Sequence, residues 1–198
     1  MKSDIYIYPT DTVWGIGGDA YEFESYEVIA RTKKTSIDKP LSILFSTIDE
    51  IEDYIVLNEK LTEVIRQTHK LGMSFGIKKE FLKNSLPEKP FSNTHYVCFR
   101  VLASEFMRGL EEFMSFPIIT TSLNLTGNSP ITELSEAKEF WQKHLPEAKF
   151  VEVNGHESLS GQSSTIILFS EDKYKVVREG ENIKSICSII EENGYQRT

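Results

Sequence analysis

Short apolar segments alternate with longer segments of helical periodicity along this chain. Runs rich in β-branched and aromatic residues predict strands at residues 5–8, 41–45, 74–78, 96–101, 118–122, 150–153, 165–169 and 175–178. Amphipathic segments predict helices near residues 26–31, 48–54, 59–68, 105–113, 136–145 and 183–192. Asn58, Ser104 and Ser135 stand at expected N-cap positions, and Gly194 follows the last helix. This alternation predicts an α/β fold, with a twisted, mixed parallel and antiparallel sheet flanked by helices, in one domain over residues 1–198.

Polar residues and glycines follow the first predicted strand, in the segment PTDTVWGIGGDA of residues 9–20. Pro9 cannot donate to a sheet ladder, so it predicts the end of the strand. Thr10, Asp11 and Thr12 then supply two hydroxyls and a carboxylate, and three glycines permit positive φ angles and close approach of a ligand. The segment is typical either of a tight turn in which Asp11 caps its own backbone or of a loop that holds a small polar ligand.

Two later segments repeat this pattern of a strand that ends in hydroxyl, amide or guanidinium groups. The first is PIITTSLNLTGNSP, residues 117–130. The second is GQSST at residues 161–165, which leads into a strand that is followed by VVREG at residues 176–180. Because polar strand ends recur several times in one small chain, we expect them to form a single polar pocket at an edge of the sheet.

Six segments between residues 8 and 180 resemble, in the same order, the motifs of the YrdC-like threonylcarbamoyl-AMP synthases. YPTDTVWGIGGDA resembles the family's YPTDTVYGLG, and KKTSIDKPLS at residues 33–42 resembles its Lys-x-Arg…Lys-Pro-Leu segment. FRV at residues 99–101 resembles V-R-V, and SLN at residues 122–124 resembles Ser-Ala-Asn. SST at residues 163–165 resembles Pro-Ser-Thr, and VREG at residues 177–180 resembles L-R-x-G.

The resemblance implies a YrdC-like fold and an activity. Such an enzyme is a nucleotidyltransferase that makes L-threonylcarbamoyl-adenylate from L-threonine, bicarbonate and ATP, with release of pyrophosphate and with Mg²⁺ carried by the nucleotide. Its product supplies a downstream tRNA threonylcarbamoyl-transferase complex, and contact with tRNA itself is a further expectation. The reaction needs in-line positioning and charge neutralisation rather than a covalent nucleophile, and the chain contains no G-x-S-x-G motif.

The resemblance also implies which residues contact the amino acid. Thr12 and Ser164 would line the threonine site. Arg100 would pair with the amino-acid carboxylate, a role suited to a bidentate guanidinium group. Trp14 stands where the family commonly has tyrosine, and it would either stack on a base or fill the core.

The nucleotide would be held by a second set of residues under the same resemblance. Lys33 and Arg178 would face the phosphates and, with Arg100, form the catalytic group. The remaining nucleotide-binding residues would be Lys39, Ser122 and Asn124.

Two positions depart from the family pattern in ways that bear on catalysis. Thr35 aligns with an arginine that follows the family's lysine, and Leu44 aligns with a histidine that some members carry. An alternative reading is therefore a non-catalytic YrdC-like paralogue that binds a nucleotide or RNA.

Composition and charge exclude some other classes. The net charge of −8 argues against a general nucleic-acid binder, which needs a basic face. No run approaches the length of a membrane span, so we expect a cytoplasmic protein without membrane contact. Cys98 and Cys187 show no CxxC pattern, and the four histidines lack metal-ligand spacing, so the sequence predicts no metal site in the protein itself.

Overall fold

The computed structural model describes residues 4–102, 105–153 and 159–198. Within these ranges, ten strands form one sheet: β1 (Ile5–Pro9), β2 (Trp14–Asp19), β3 (Ser42–Phe45), β4 (Met73–Lys78), β5 (Tyr96–Val101), β6 (Ile118–Ser122), β7 (Lys149–Phe150), β8 (Thr165–Ser170), β9 (Lys173–Arg178) and β10 (Gln196–Arg197). The strand order is β10-β9-β8-β4-β5-β3-β6-β2-β1-β7. Four neighbouring pairs are parallel and five are antiparallel.

Helices connect and cover the strands: α1 (Phe23–Lys33), α2 (Ile48–Tyr54), α3 (Glu59–Thr68), α4 (Glu88–Phe91), α5 (Glu105–Arg108), α6 (Leu134–His144) and α7 (Ile183–Glu192). Short 3₁₀ turns follow α3, β4 and α5, at His69–Leu71, Lys79–Phe81 and Gly109–Glu112. No helix in the described ranges is long and apolar enough to cross a membrane. The α/β fold with a mixed sheet, predicted from the sequence, is confirmed.

The core consists of two clusters on opposite faces of the sheet. Successive side chains of a strand point to opposite faces, and β3 shows the division. Ile43 and Phe45 join the larger cluster, which the buried faces of α1, α3 and α7 cover. Leu44 joins the smaller cluster together with Ile118 of β6. Ser42 and Thr120 lie two positions from these residues on the same face and line a polar cleft, so the second cluster supports the cleft.

Several predicted boundaries agree with the structure. The bounds of β5, β6, α2, α3 and α7 are those expected from the sequence. The Asn58 side chain caps α3 by accepting a hydrogen bond from Leu61 N at 2.8 Å, and Gly194 follows α7 with φ +82°. Ser104 lies outside the described residues. The expected cap at Ser135 is wrong, because α6 begins at Leu134 and is preceded by Glu133, which makes no side-chain capping bond.

Two further elements are shorter than predicted. The strand expected at residues 150–153 is the two-residue β7, since only Lys149 and Phe150 pair with β1. The helix expected at residues 105–113 is divided into α5 and the turn Gly109–Glu112. In both places buried apolar side chains continue past the end of the element, at Val151 and Val153 after β7 and at Leu110 and Met114 after α5, so the apolar pattern predicts an element longer than the structure has.

The glycine segment after the first strand forms a strand, so the predicted glycine loop is wrong. Pro9 is the last residue of β1 and pairs with Trp14, and β2 runs antiparallel between β1 and β6. None of its three glycines has a positive φ. They are required by packing: a Cβ at Gly17 would collide with the carbonyl oxygen of Ile119, and one at Gly18 would lie 2.8 Å from Ser25 Oγ. The glycines therefore permit close approach of neighbouring protein atoms, where the sequence predicted close approach of a ligand.

Candidate functional site

The polar cleft has a volume of about 280 Å³. Its hydroxyl and guanidinium groups come from β3, β4, β5, β6 and β9, from the loop between β1 and β2, and from the segment that precedes β8. Six of the residues predicted for the site line it: Thr12, Lys39, Arg100, Ser122, Ser164 and Arg178. Its lining has nine hydroxyl side chains and three cationic side chains, and it contains no aspartate or glutamate. In a protein of net charge −8, this composition indicates a site for an anion.

Arg100, on β5, is held at the cleft by the loop between β1 and β2. Its side chain is only 9% exposed and forms an ion pair with Asp11 Oδ1 through one terminal nitrogen. The other terminal nitrogen lies 3.4 Å from Thr12 Oγ1, and Nε has no hydrogen-bond partner among the described residues. Because the guanidinium group has five N–H donors, donors remain for a carboxylate ligand.

The loop between β1 and β2 is shaped by Thr10 rather than by Asp11. Thr10 Oγ1 donates to Val13 O at 2.7 Å and accepts from Thr12 N and Val13 N, both at 3.2 Å. The alternative in which Asp11 caps its own backbone is therefore wrong, since its carboxylate binds Arg100. Thr10 leaves the Asp11 carboxylate free to reach across the loop to β5.

Arg178, at the end of β9, is fixed by a serine of the preceding segment. Its Nε donates to Ser164 O at 2.8 Å, and a terminal nitrogen donates to Ser164 Oγ at 2.9 Å. Ser164 Oγ also lies 3.0 Å from Ser74 Oγ on β4. Burial, together with the charge of Arg100, lowers the pKa of Arg178. Among the described residues no carboxylate forms an ion pair with Arg178, so its charge is available to a ligand.

Gly180 explains how the end of β9 is held so close to Ser164. A Cβ at this position would lie 2.6 Å from Ser163 O and 2.7 Å from Thr165 N. Its backbone N–H donates to Thr165 Oγ1 at 3.0 Å. The glycine of the VREG segment therefore permits the contact that places Arg178 in the cleft.

Lys33 and Asn124 lie behind the cleft rather than in its lining. Lys33, the last residue of α1, is buried, and its Nζ donates to Ser122 O, to Asn124 O at 2.9 Å and to Asn124 Oδ1 at 2.8 Å. These bonds employ all three ammonium hydrogens. Burial, with a smaller contribution from the charge of Lys39, lowers the pKa of Lys33 to about 8.

The Asn124 side chain organises the end of β6. Its Oδ1 also accepts from Ser122 Oγ at 2.7 Å, and its Nδ2 donates to Leu125 O at 3.1 Å and Asn128 O at 2.8 Å. Ser122 itself lines the cleft, as does Thr120, whose hydroxyl lies 2.5 Å from that of Tyr8. Burial raises the pKa of Tyr8.

The other residues of interest fall outside the cleft lining or take a packing role. Trp14 is fully buried and stacks on Phe150 with ring centroids 5.2 Å apart, so it fills the core, and it also borders the cleft. Leu44 is a core residue, and Thr35, which follows α1, does not line the cleft. Sequence reasoning named Asp11 in the segment expected to hold a ligand but gave it no role in the site, and it did not include Ser74. The contacts of Asp11 with Arg100 and of Ser74 with Ser164 join residues that are distant in the chain.

The described part of the chain contains no group of three His, Cys, Asp or Glu side chains that could hold a metal ion. A second cavity, of about 170 Å³, adjoins the cleft and shares Thr12, Ser163 and Ser164 with it. Asp11 lines this second cavity, so its carboxylate lies at the boundary between the two spaces.

Comparison with known proteins identifies the family. A model of the Sua5/YciO/YrdC domain, described as "Telomere recombination", matches residues 2–180. The chain therefore belongs to the Sua5/YciO/YrdC family, and the resemblance drawn from its six motifs is confirmed.

Similar proteins carry related names. The chain is 25% identical over 139 residues to a threonylcarbamoyl-AMP synthase of Hydrogenovibrio crunogenus, an alignment that covers 67% of this chain and 72% of that one. It is 27% identical over 180 residues to a putative threonylcarbamoyl-AMP synthase of Methanocaldococcus jannaschii, covering 91% and 81%. The structure of P. abyssi Sua5 in complex with L-threonine superposes with a TM-score of 0.78 at 21% identity. That match covers 98% of this chain and 55% of the P. abyssi chain, and it supports the fold.

Proposed function

We propose that this protein makes L-threonylcarbamoyl-adenylate from L-threonine, bicarbonate and Mg²⁺-bound ATP, with release of pyrophosphate. The observation that carries the proposal is the cleft, which is lined with hydroxyl groups and three cations and has no carboxylate in its lining. Family membership and the names of the similar proteins support the same conclusion.

The nucleotide would be bound through its phosphates. Arg178 offers an uncompensated guanidinium group, and the exposed Lys39 adds a second charge. Lys33 adds a buried charge behind Ser122, and it fixes the Ser122–Asn124 segment against which the nucleotide would rest. Because the cleft lining has no carboxylate, Mg²⁺ would arrive with the triphosphate as part of the substrate.

Threonine would be bound at Arg100. Each terminal nitrogen of this guanidinium group keeps a hydrogen beyond its contact with Thr12 or Asp11, which suits the amino-acid carboxylate. The hydroxyls of Thr12 and Ser164 suit the substrate hydroxyl or the new carbamate. Selection of threonine would then rest on hydrogen bonds to its hydroxyl. Serine should be the best substitute, and valine, which would leave buried polar groups unpaired, should be rejected strongly.

The reaction requires no protein nucleophile. The amine of threonine attacks bicarbonate, and loss of water leaves a carbamate. A carbamate oxygen then attacks the α-phosphorus of ATP, the bond to the bridging oxygen breaks, and pyrophosphate leaves. Arg178 and Arg100 would hold the two reactants in line and offset the charge that develops on the phosphate oxygens. The adenylate would pass to a tRNA threonylcarbamoyl-transferase complex, in contact with tRNA.

A non-catalytic protein that binds a nucleotide or RNA is the second candidate. Thr35, in place of the family's arginine, removes one cation, and the ammonium group of Lys33 is fully occupied by protein acceptors. Such a protein would bind ATP without threonine-dependent turnover. Binding of RNA in its place would be tight and strongly salt-dependent.

Pyrophosphate release tests the proposal. Purified protein is assayed with Mg²⁺, ATP and bicarbonate, with threonine, serine or valine added in turn. We expect release that depends on both threonine and bicarbonate, reduced release with serine and almost none with valine. Equal release with and without threonine would reject the enzyme, and ATP binding measured in parallel would then favour the second candidate.

A further inference from the structure

Asp11 lies beside the cleft, and the proposed mechanism gives its carboxylate no role. Its Oδ1 binds Arg100, whereas Oδ2 accepts no hydrogen bond from any residue in the described ranges. The side chain is 19% exposed and faces the second cavity, next to Thr12 and Ser164. One carboxylate oxygen is therefore open to a ligand that is already in contact with Arg100.

We infer that Asp11 binds the α-ammonium group of the amino-acid substrate through Oδ2, while Arg100 binds the carboxylate of the same molecule. The inference rests on the proposed function, which places an amino acid at Arg100, and it adds the class of group recognised at its other end. The Asp11–Arg100 ion pair is then a receptor with one anionic and one cationic end.

Charge balance supports this assignment. In the absence of substrate, Asp11 neutralises Arg100 in a place where little solvent is available to do so. A zwitterion brings no net charge, so both protein charges stay compensated when it binds. A carboxylate without an ammonium group would add one negative charge beside Asp11, and an amine without a carboxylate would add one positive charge beside Arg100 and Arg178.

The neighbouring cations strengthen the argument. Arg100, Arg178 and Lys39 all line the cleft and would repel an ammonium group. Glu181, the other carboxylate that lines the second cavity, is solvent-exposed and forms no ion pair among the described residues. Asp11 is thus the carboxylate positioned to make this region of the site favourable to an α-amino acid.

The test compares L-threonine with two ligands that each lack one of its charged groups. Calorimetric affinities are measured, without ATP, for L-threonine, for 2,3-dihydroxybutyrate, in which hydroxyl replaces ammonium, and for 1-amino-2-propanol, which lacks the carboxylate. We expect the wild type to bind threonine at least about tenfold more tightly than the hydroxy acid, as a charge-assisted hydrogen bond implies. In Asp11→Asn this ratio should fall to within about threefold of unity.

Two matched variants separate recognition from positioning. Glu181→Gln removes a nearby carboxylate and should keep the wild-type ratio, and Asp11→Glu should retain most of it. If Asp11→Asn weakens threonine and the hydroxy acid equally, Asp11 acts only through Arg100 and the inference is overturned. If the wild type does not bind threonine at all, it is the proposed function that fails.

A measurement on the wild type guards against an Asp11→Asn protein that does not fold. The ratio of the two affinities is followed as pH rises through the pKa of the substrate's amino group. Groups of the protein that titrate in the same range affect both ligands and cancel in the ratio. We expect the ratio to fall toward unity, and a constant ratio would overturn the inference.

Discussion

The two arginines of the cleft lie in regions with opposite charge balance. In the Arg100 region, formed with Asp11 and Thr12, the guanidinium group is almost fully buried and is paired with a carboxylate. In the Arg178 region, formed with Ser74 and Ser164, the guanidinium group is more exposed and bonds only to neutral oxygens. Paired charges suit a zwitterion, and an unpaired cation suits a polyanion. On this difference rests the proposal that threonine binds in the Arg100 region and ATP in the Arg178 region.

Replacement of Arg100 should have the largest effect. Arg100→Met leaves Asp11 partly buried without its partner, which should cost about 1–3 kcal/mol of unfolding free energy after allowance for its remaining exposure. It should also abolish threonine binding. Arg178→Met breaks no ion pair and removes two hydrogen bonds from a more exposed guanidinium group to Ser164, so it should reduce the unfolding free energy less than Arg100→Met does. Urea unfolding measures the unfolding free energy of the two variants. Equal losses of unfolding free energy would show that the two regions do not differ in charge balance.

Replacement of Arg178 should act on the nucleotide instead. Arg178→Ala should weaken ATP binding by about 1.5–3 kcal/mol, the range for a hydrogen bond that involves a charged group. Lys175→Ala, on the same strand β9 but outside the cleft lining, is the matched control and should leave the affinity unchanged. Calorimetry measures both. An Arg178→Ala protein with wild-type ATP affinity would remove this residue from the nucleotide site.

Salt should distinguish the two regions in the wild type. Binding of a triphosphate to uncompensated cations weakens as charges are screened, so ATP affinity should fall about tenfold between about 50 mM and about 500 mM salt. Threonine brings no net charge to a compensated pair, and its affinity should change by less than about twofold. Calorimetric titrations with ATP and with threonine at several salt concentrations give the salt dependence of each affinity. Parallel slopes would show that the two regions do not differ as argued.

Lys33 should add a smaller, pH-dependent effect to ATP binding. Its pKa of about 8 means that its charge is present below pH 8 and is lost as pH rises through that value. ATP affinity should therefore fall about threefold between about pH 7 and about pH 9. Lys33→Met should give a flat profile at the lower affinity. Lys39→Met should move the decline to higher pH, because Lys39 lowers the pKa of Lys33. An unchanged profile in Lys33→Met would assign the decline to another group.

Elements with a simple pattern could be predicted from the sequence, and those set by long-range packing could not. Strand β5 is a run rich in β-branched and aromatic residues, and helix α3 has helical periodicity and the N-cap Asn58, and the bounds of both agree with the prediction. Strand β2 was missed because its glycines resemble a turn, and only contact with Ile119 on a neighbouring strand shows why they are needed.

In the candidate site, too, residues carried by sequence motifs could be predicted, and contacts created only by the fold could not. Arg100 and Ser164 could be predicted to share a pocket because motifs in the expected order carry them, and both line the cleft. The pairing of Asp11 with Arg100 could not be predicted, since 88 residues lie between them in the sequence and only the fold brings them together.

Incorporation of labelled bicarbonate shows whether the protein makes L-threonylcarbamoyl-adenylate. The protein is incubated with Mg²⁺, ATP, L-threonine and ¹³C-bicarbonate, and the products are analysed by mass spectrometry, with Arg178→Ala as the comparison. We expect the wild type to form, together with pyrophosphate, an adenylate that contains threonine and one labelled carbon. We expect Arg178→Ala to form much less of it. Absence of a labelled adenylate from the wild-type reaction would contradict the proposed function.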